Sequence, residues 1–252
     1  MLKFFKNIRR TLLDKNKLGQ YLKYALGEIL LVVLGILIAL QVNNWNQDRI
    51  EKQHTLDYLN DLTVDIALDL ENLEDHIQFL DDMSNRKRTL LKQISHEHLE
   101  MDTIIKLVMP IYLTKPIIDR TYQKYNSTNI SKLIDNKELY NNINTYYTTV
   151  KTRYLTHVVW DEKYTLEEAE FWYYNDEFES RYLDEDLPFL HNDSIQKAVL
   201  EAQLKSVKGR NLLRTSLFRK KRIKTYVVEV QNRALELSND IKDYLKASGY
   251  YN

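Results

Sequence analysis

The chain of 252 residues contains no cysteine, five glycines and three prolines, and its 36 basic residues are matched by 36 acidic ones. Without cysteine there is no disulfide framework, thiolate metal site or cysteine nucleophile. So little glycine and proline excludes collagen-like and linker-dominated chains, and leaves few punctuation marks for short strands and turns. Zero net charge argues against a globally basic nucleic-acid binder. No phosphate loop, nucleophile elbow, dinucleotide fingerprint or calcium-loop pattern occurs, so no enzymatic activity, cofactor or nucleic-acid partner is expected.

What is present begins with an apolar run. Ile29 to Leu40 reads ILLVVLGILIAL, and Tyr24 and Trp45 bracket it. On a helix those two aromatics lie ~31 Å apart along the axis, which matches the two interfaces of a bilayer. Glu28, Gln41, Asn43 and Asn44 are the only polar side chains inside that frame, all near its ends. A transmembrane helix over 24–45 is predicted. Lys3, Lys6, Arg9, Arg10, Lys15, Lys17 and Lys23 precede Tyr24, whereas the twenty residues after Val42 hold only Arg49 and Lys52 as cations. The asymmetry predicts a cytoplasmic tail over 1–23 and a domain over 46–252 across the inner membrane, in the periplasm. The long basic stretch and the lack of a small-x-small site near Leu40-Gln41-Val42 favour an uncleaved anchor over a signal peptide.

Gly27-Glu28-Ile29, followed by Gly35-Ile36-Leu37-Ile38-Ala39-Leu40-Gln41-Val42-Asn43-Asn44-Trp45-Asn46, resembles the signature of a family of single-pass membrane proteins from Bacteroidota whose domain has no assigned function. The opening Lys3-Phe4-Phe5 with Ile8-Arg9 is similar to that family too. So is a weaker block of Thr121-Tyr122, Leu133-Ile134, Glu138-Leu139 and Tyr146-Tyr147, although Thr128-Asn129 stands where the family often has Ser-Gly. The resemblance implies an inner-membrane protein with a periplasmic domain, and no activity.

Beyond the membrane, Leu59, Leu62, Ile66, Leu70, Leu73, Ile77 and Leu80 recur every three or four residues, the stripe of an amphipathic helix, and Leu90, Leu91 and Ile94 extend it. No Gly or Pro interrupts the chain between Gly35 and Pro110. A break is nevertheless expected at Ser84-Asn85 or Ser95-His96-Glu97-His98, because one helix from Trp45 to Ile94 would reach ~75 Å. Pro110 and Pro116 predict an irregular connector, with a short helix near Ile118–Tyr125. Asp135 and Glu138 resemble a capping box that opens a helix carrying Ile143, Tyr146, Tyr147, Val150, Tyr154 and Val158. That helix is expected to reach about Glu179, with Asp186-Leu187-Pro188 closing the section. Asp193 or Ser194 is the expected cap of a last helix, which Gly209 kinks. The predicted fold is all-α: a transmembrane helix followed by an elongated antiparallel helical bundle.

Several residues are candidates for function. Gly35 and Ala39 lie within ~40° of Glu28 on the helix, so a carboxylate shares the face best suited to close helix association. Glu28 can snorkel or pair with Lys23, meet another helix, or act as a protonatable group in an ion pathway. Asp57, Asp61, Asp65 and Asp69 form a ladder of like charge that needs compensation. Ala202 to Val228 holds nine cations and no acid. Either these two faces complement each other and solvent, or Arg219, Lys220, Lys221 and Arg222 meet an anionic partner such as lipid headgroups, a polyanionic glycan or an acidic protein. Trp160, Tyr164 and Phe171 keep helical spacing and read as core. Of the aromatic run Phe171 to Tyr174, not all can face inward, so Trp172, Tyr173 and Tyr174 are candidates for an exposed contact. His96-x-His98 matches no zinc-helix spacing and His157 reads as a packed histidine, so no metal site is expected. The partners expected are membrane lipid and other copies or subunits within a membrane complex. The expected role is a scaffold or accessory subunit, with a helical sensor domain or an ion-coupled subunit as alternatives.

Overall fold

A computed structural model describes residues 18–128, 134–174, 177–179 and 188–250, except the side chains of residues 18, 20, 21 and 24. The basic residues Lys3 to Lys17, the Tyr24 ring, Asn129, Leu133 and Asp186-Leu187 therefore lie outside the description. The chain is all-α. Helix α1 runs Leu18–Leu91, α2 Met101–Val108, α3 Arg120–Asn126 and α4 Lys137–Thr145. A π-helical turn, Tyr146–Val150, leads into α5, Lys151–Trp172, followed by α6, Asp193–Lys205, and α7, Val207–Ala247. The chain divides into two compact units, Met1–Thr55 and Leu56–Asn252.

In the first unit the apolar side chains of α1 enter no core among the described residues. Ile29 to Leu34, Ile36 to Ile38, Leu40, Val42 and Trp45 are all exposed. The helix is long and apolar enough to cross a membrane, and none of its most apolar stretch is buried. The second unit begins at Leu56, and residues 46–54 stay exposed apart from a partly covered Glu51.

The second unit is an antiparallel bundle of α1, α5 and α7. Asp57, Glu74 and Asp81 of α1 meet Tyr250, Gln231 and Lys224 in descending order, and Arg153 and Asp161 of α5 meet Glu229 and Arg219 of α7. The predicted stripe forms its seam: Leu59, Leu62, Ile66, Leu73 and Leu80 are buried, each adding ~1.5–3 kcal/mol of apolar transfer. They belong to one core with Tyr146, Tyr147, Tyr154, Val227, Ala234 and Ile241. A second core gathers Leu90, Ile104, Val108, Trp172, Leu200, Leu204 and Leu213.

The ends of the helices follow their local chemistry. Helix α1 passes Ser84-Asn85 unbroken and stops at Leu91, ahead of the second expected break, which leaves Ile94 beyond it and exposed. Asn136, rather than Asp135, caps α4: its side-chain oxygen accepts from the N–H groups of Glu138 and Leu139 at 3.1 and 3.0 Å, while Asp135 accepts from Tyr244. Asn192 caps α6 through Ile195, one residue before the expected cap. The joint near Gly209 is a full break, because Ser206 takes an extended backbone and caps α7 by accepting from Gly209 N–H at 2.9 Å. A Cβ on Gly209 would stand 2.1 Å from the Gln203 carbonyl oxygen, so only glycine admits this approach. Helix α7 closes with Gly249 at φ 76° and a Tyr250 N–H bond to the Leu245 carbonyl, the αL termination that favours glycine. The π-helical turn has a packing reason. Widening the turn by one residue lets the consecutive Tyr146 and Tyr147 both enter the core, and helix α5 resumes until Trp172, short of Glu179.

Candidate functional site

Between the two apolar cores lies a layer of buried charge. Core positions that should be apolar are instead His76, Ser84 and Lys87 on α1, Asp161, Thr165 and Glu168 on α5, and Ser216, Arg219 and Lys220 on α7. Asp161 binds Arg219 Nε through one oxygen at 2.9 Å and Lys220 Nζ through the other at 2.7 Å. Glu168 accepts from Arg219 Nη2 at 2.6 Å. Burial works against the Arg219 charge, but Glu168 and Asp161 outweigh it and hold the guanidinium above its ordinary range. For Lys220 burial wins over Asp161 and lowers the pKa. A charge this dry persists only when paired and hydrogen-bonded.

Lys87, the one cation left out of that pairing, and Lys220, which shares in it, both serve backbone. The connector between α2 and α3, residues 109–119, has no regular structure and carries Pro110 and Pro116, so its carbonyls need donors from elsewhere. Lys87 Nζ donates to the carbonyls of Leu107, Val108 and Met109 at 3.2, 2.6 and 3.1 Å, and so closes the C-terminal end of α2. Burial pushes Lys87 down to about 7, against the attraction of Glu168. Lys220 also donates to Ile111 O at 2.8 Å, and Tyr154 Oη donates to Lys115 O at 2.7 Å. Because that hydroxyl proton is used, the His76 Nδ1 at 2.9 Å from the same oxygen must be the protonated nitrogen. Burial pushes His76 down to about 4, and its Nε2 meets no partner.

The aspartate ladder is compensated by the same connector and by tyrosines. Asp57 accepts from Tyr250 Oη and Asp61 from Tyr125 Oη. Asp65 takes Arg120 Nε and Thr121 N–H, and Asp69 takes Ile118 N–H at 2.8 Å and Tyr146 Oη at 2.9 Å. Burial raises Asp69 to about 6 in spite of those two donors. At their buried positions the ladder and the basic run do not complement each other within the chain; each finds other partners.

The candidate contact residues separate accordingly. Arg219 and Lys220 are 3% and 1% exposed, so half of the expected anionic-partner surface is interior; Lys221 and Arg222 remain outside. The reason is register: residues 216, 219, 220 and 223 face the core of α7. Trp172 and Tyr173 are likewise buried, in the second core, and Tyr173 Oη donates to Ile105 O; Tyr174 alone of the three is exposed, at 70%. Gly35 and Ala39 lie on the exposed apolar surface of α1, with Glu28 partly covered. A side chain at Gly35 would meet nothing within 4 Å. His96 turns inward, its Nε2 3.0 Å from Leu90 O, and His157 packs on the Tyr226 ring. No cluster able to hold a metal ion occurs among the described residues.

Two adjoining open grooves of about 310 and 370 Å³ follow the junction of α4, the π-helical turn and α7, and share Asn142 and Asp240. Arg153 and Arg233 line the first and are bound to Glu229 and Glu236, so its charge is largely neutralised. Sequence reading passed over Asp161, Glu168, His76 and Lys87. The signal was there: Tyr154, Val158, Asp161, Thr165, Glu168 and Trp172 keep the 3–4 spacing of one face. Against known proteins, no family model, curated protein or solved structure matches this chain.

Proposed function

We propose that this is a single-pass inner-membrane protein, with its basic tail in the cytoplasm and its helical bundle in the periplasm, acting there as a scaffold or accessory subunit through protein contacts. One observation carries the reading: Ile29 to Leu40 form a helical surface of apolar side chains with no protein around them, and lipid is the medium that such a surface fits. The excess of cations before Tyr24 supports the orientation. The polar layer supports a mechanical rather than a catalytic role, since its charges are consumed by one another and by the connector backbone. The grooves of the bundle are open and polar, which favours scaffolding over capture of a small signal in an enclosed cavity.

Membrane fractionation with alkaline extraction tests the anchor: recovery of the intact chain in the soluble fraction refutes it. Protease treatment of spheroplasts tests the orientation, with cleavage of the bundle expected and its protection refuting the reading. Self-association is tested by Gly35→Leu. The added side chain touches nothing within its own chain, so a change in particle size in detergent reports an intermolecular contact, and an unchanged size removes the Glu28/Gly35/Ala39 interface.

A further inference from the structure

The basic run of α7 is divided by its helical register, and the outer half has company. Arg214, Phe218, Arg222 and Tyr226 succeed one another at intervals of four residues, a line of alternating cation and ring with ~6 Å steps. Phe218 is 65% exposed although it is a large apolar side chain. Helix α5, which meets this line at Tyr226, carries Arg153, His157, Trp160 and Tyr164 on one edge, again cation and rings. The two lines interlock. Arg153 and Arg222 lie 5.0 and 5.3 Å from the Tyr226 ring, His157 packs on that ring at a tilt of 39°, and Tyr164 packs edge-on against Trp160.

Two acids beside this seam are engaged inside: Asp161 and Glu168 are occupied by Arg219 and Lys220. Glu229 pairs with Arg153 at the surface, so Arg153 brings no free charge to the seam. Arg214, Lys221 and Arg222 meet no carboxylate among the described residues. A short positive strip of Arg214, Lys221 and Arg222 about the exposed Phe218 ring is thus left on a protein whose net charge is zero.

We propose that this seam binds a linear acidic glycan, a sugar polymer bearing carboxylates. The CH faces of pyranose rings lie flat on aromatic side chains, and guanidinium groups take carboxylates in a two-pronged geometry. A polymer that alternates ring and carboxylate matches a strip that alternates ring and cation. An acidic peptide would use the charges and leave the rings idle. An anionic bilayer would need several apolar side chains free to insert, whereas of these rings Phe218 alone is more than half exposed. The inference depends on the bundle alone and not on the membrane orientation.

The test uses the full chain in detergent, immobilised, with polygalacturonate as probe and dextran, poly-glutamate and phosphatidylglycerol vesicles as comparisons. Polygalacturonate should bind, dextran should not, and poly-glutamate should bind at least tenfold more weakly. Arg222→Glu should weaken polygalacturonate binding roughly tenfold or more, and Phe218→Ala several-fold, with unchanged circular dichroism. Lys242→Glu, exposed elsewhere on α7, should leave it unchanged. No binding to polygalacturonate, equal binding to poly-glutamate, binding to vesicles only, or indifference to Arg222→Glu or Phe218→Ala would each overturn the proposal.

Discussion

Replacing Asp161 by alanine puts the buried charge layer to its hardest test. Both carboxylate oxygens are committed, to Arg219 Nε at 2.9 Å and to Lys220 Nζ at 2.7 Å, and all three side chains are less than 5% exposed. Removing the acid leaves Lys220 with no carboxylate and Arg219 with Glu168 alone. Loss of one partner from a buried pair costs about 3–5 kcal/mol, because the surviving charge stays dry. For a unit of this size each kcal/mol lowers Tm by roughly 2–4 °C, so the variant should melt roughly 6–20 °C below the parent. Arg233→Ala supplies the contrast, since its bridge to Glu236 is more than 60% exposed on both sides and worth at most about 0.5 kcal/mol. Thermal melts of both variants in the same detergent, followed at 222 nm, decide the matter. A double change, Asp161→Leu with Lys220→Met, should recover part of the loss, as it removes one stranded cation. If Asp161→Ala melts within a degree or two of Arg233→Ala, the layer is hydrated and the reasoning fails.

Other outcomes follow from the joint and from the titrating groups. Gly209→Ala, which in an ordinary helix interior gains up to ~1 kcal/mol, should here destabilise by about 2–3 kcal/mol, because its Cβ meets a backbone oxygen at 2.1 Å; a raised Tm would contradict this. His76, held at about 4 against an ordinary 6.5, leaves the unfolded chain binding more protons between those values, so its contribution of about 3 kcal/mol is lost as pH falls through that window. Asp69 has the opposite sign: raised to about 6 from 3.8, it binds its proton earlier in the folded state and adds about 3 kcal/mol as pH falls from 6 towards 4. The two should nearly cancel. Between pH 7 and 4, therefore, Asp69→Asn should lose stability faster than the parent on acidification and His76→Gln should lose less or gain; parallel Tm–pH curves for both would refute the assignment.

Much of the architecture was legible because it rests on local pattern. The Leu59-to-Leu80 stripe, the interruption around Pro110 and Pro116, and a helix carrying Tyr146 to Val158 all follow from spacing and from the two residues that stop helices. The caps came out one residue away, as Asn136 beside Asp135 and Asn192 beside Asp193 show, since several neighbouring side chains can each accept the same N–H groups. The charged layer was hidden for a different reason. Taken singly, Asp161 on α5, Lys87 on α1 and Arg219 on α7 each read as a polar residue near the edge of a stripe. Only when three helices are aligned do the interruptions fall at one level, and that alignment is tertiary information. The same limit explains Trp172 and Tyr173: the run after Phe171 fixes that some rings face outward, and the second core, built partly from α2 and α6, decides which.

The connector through the bundle is gripped by its main chain. Lys87, Lys220, Tyr154 and Asp69 hold carbonyls and amides at residues 107, 108, 109, 111, 115 and 118, whatever side chains those positions bear. Apart from Val108 and Ile117, whose side chains enter the cores, spelling along this stretch can therefore drift, while its length cannot. One inserted or deleted residue would shift every grip out of phase at once, so related chains should vary here in letters and never in count.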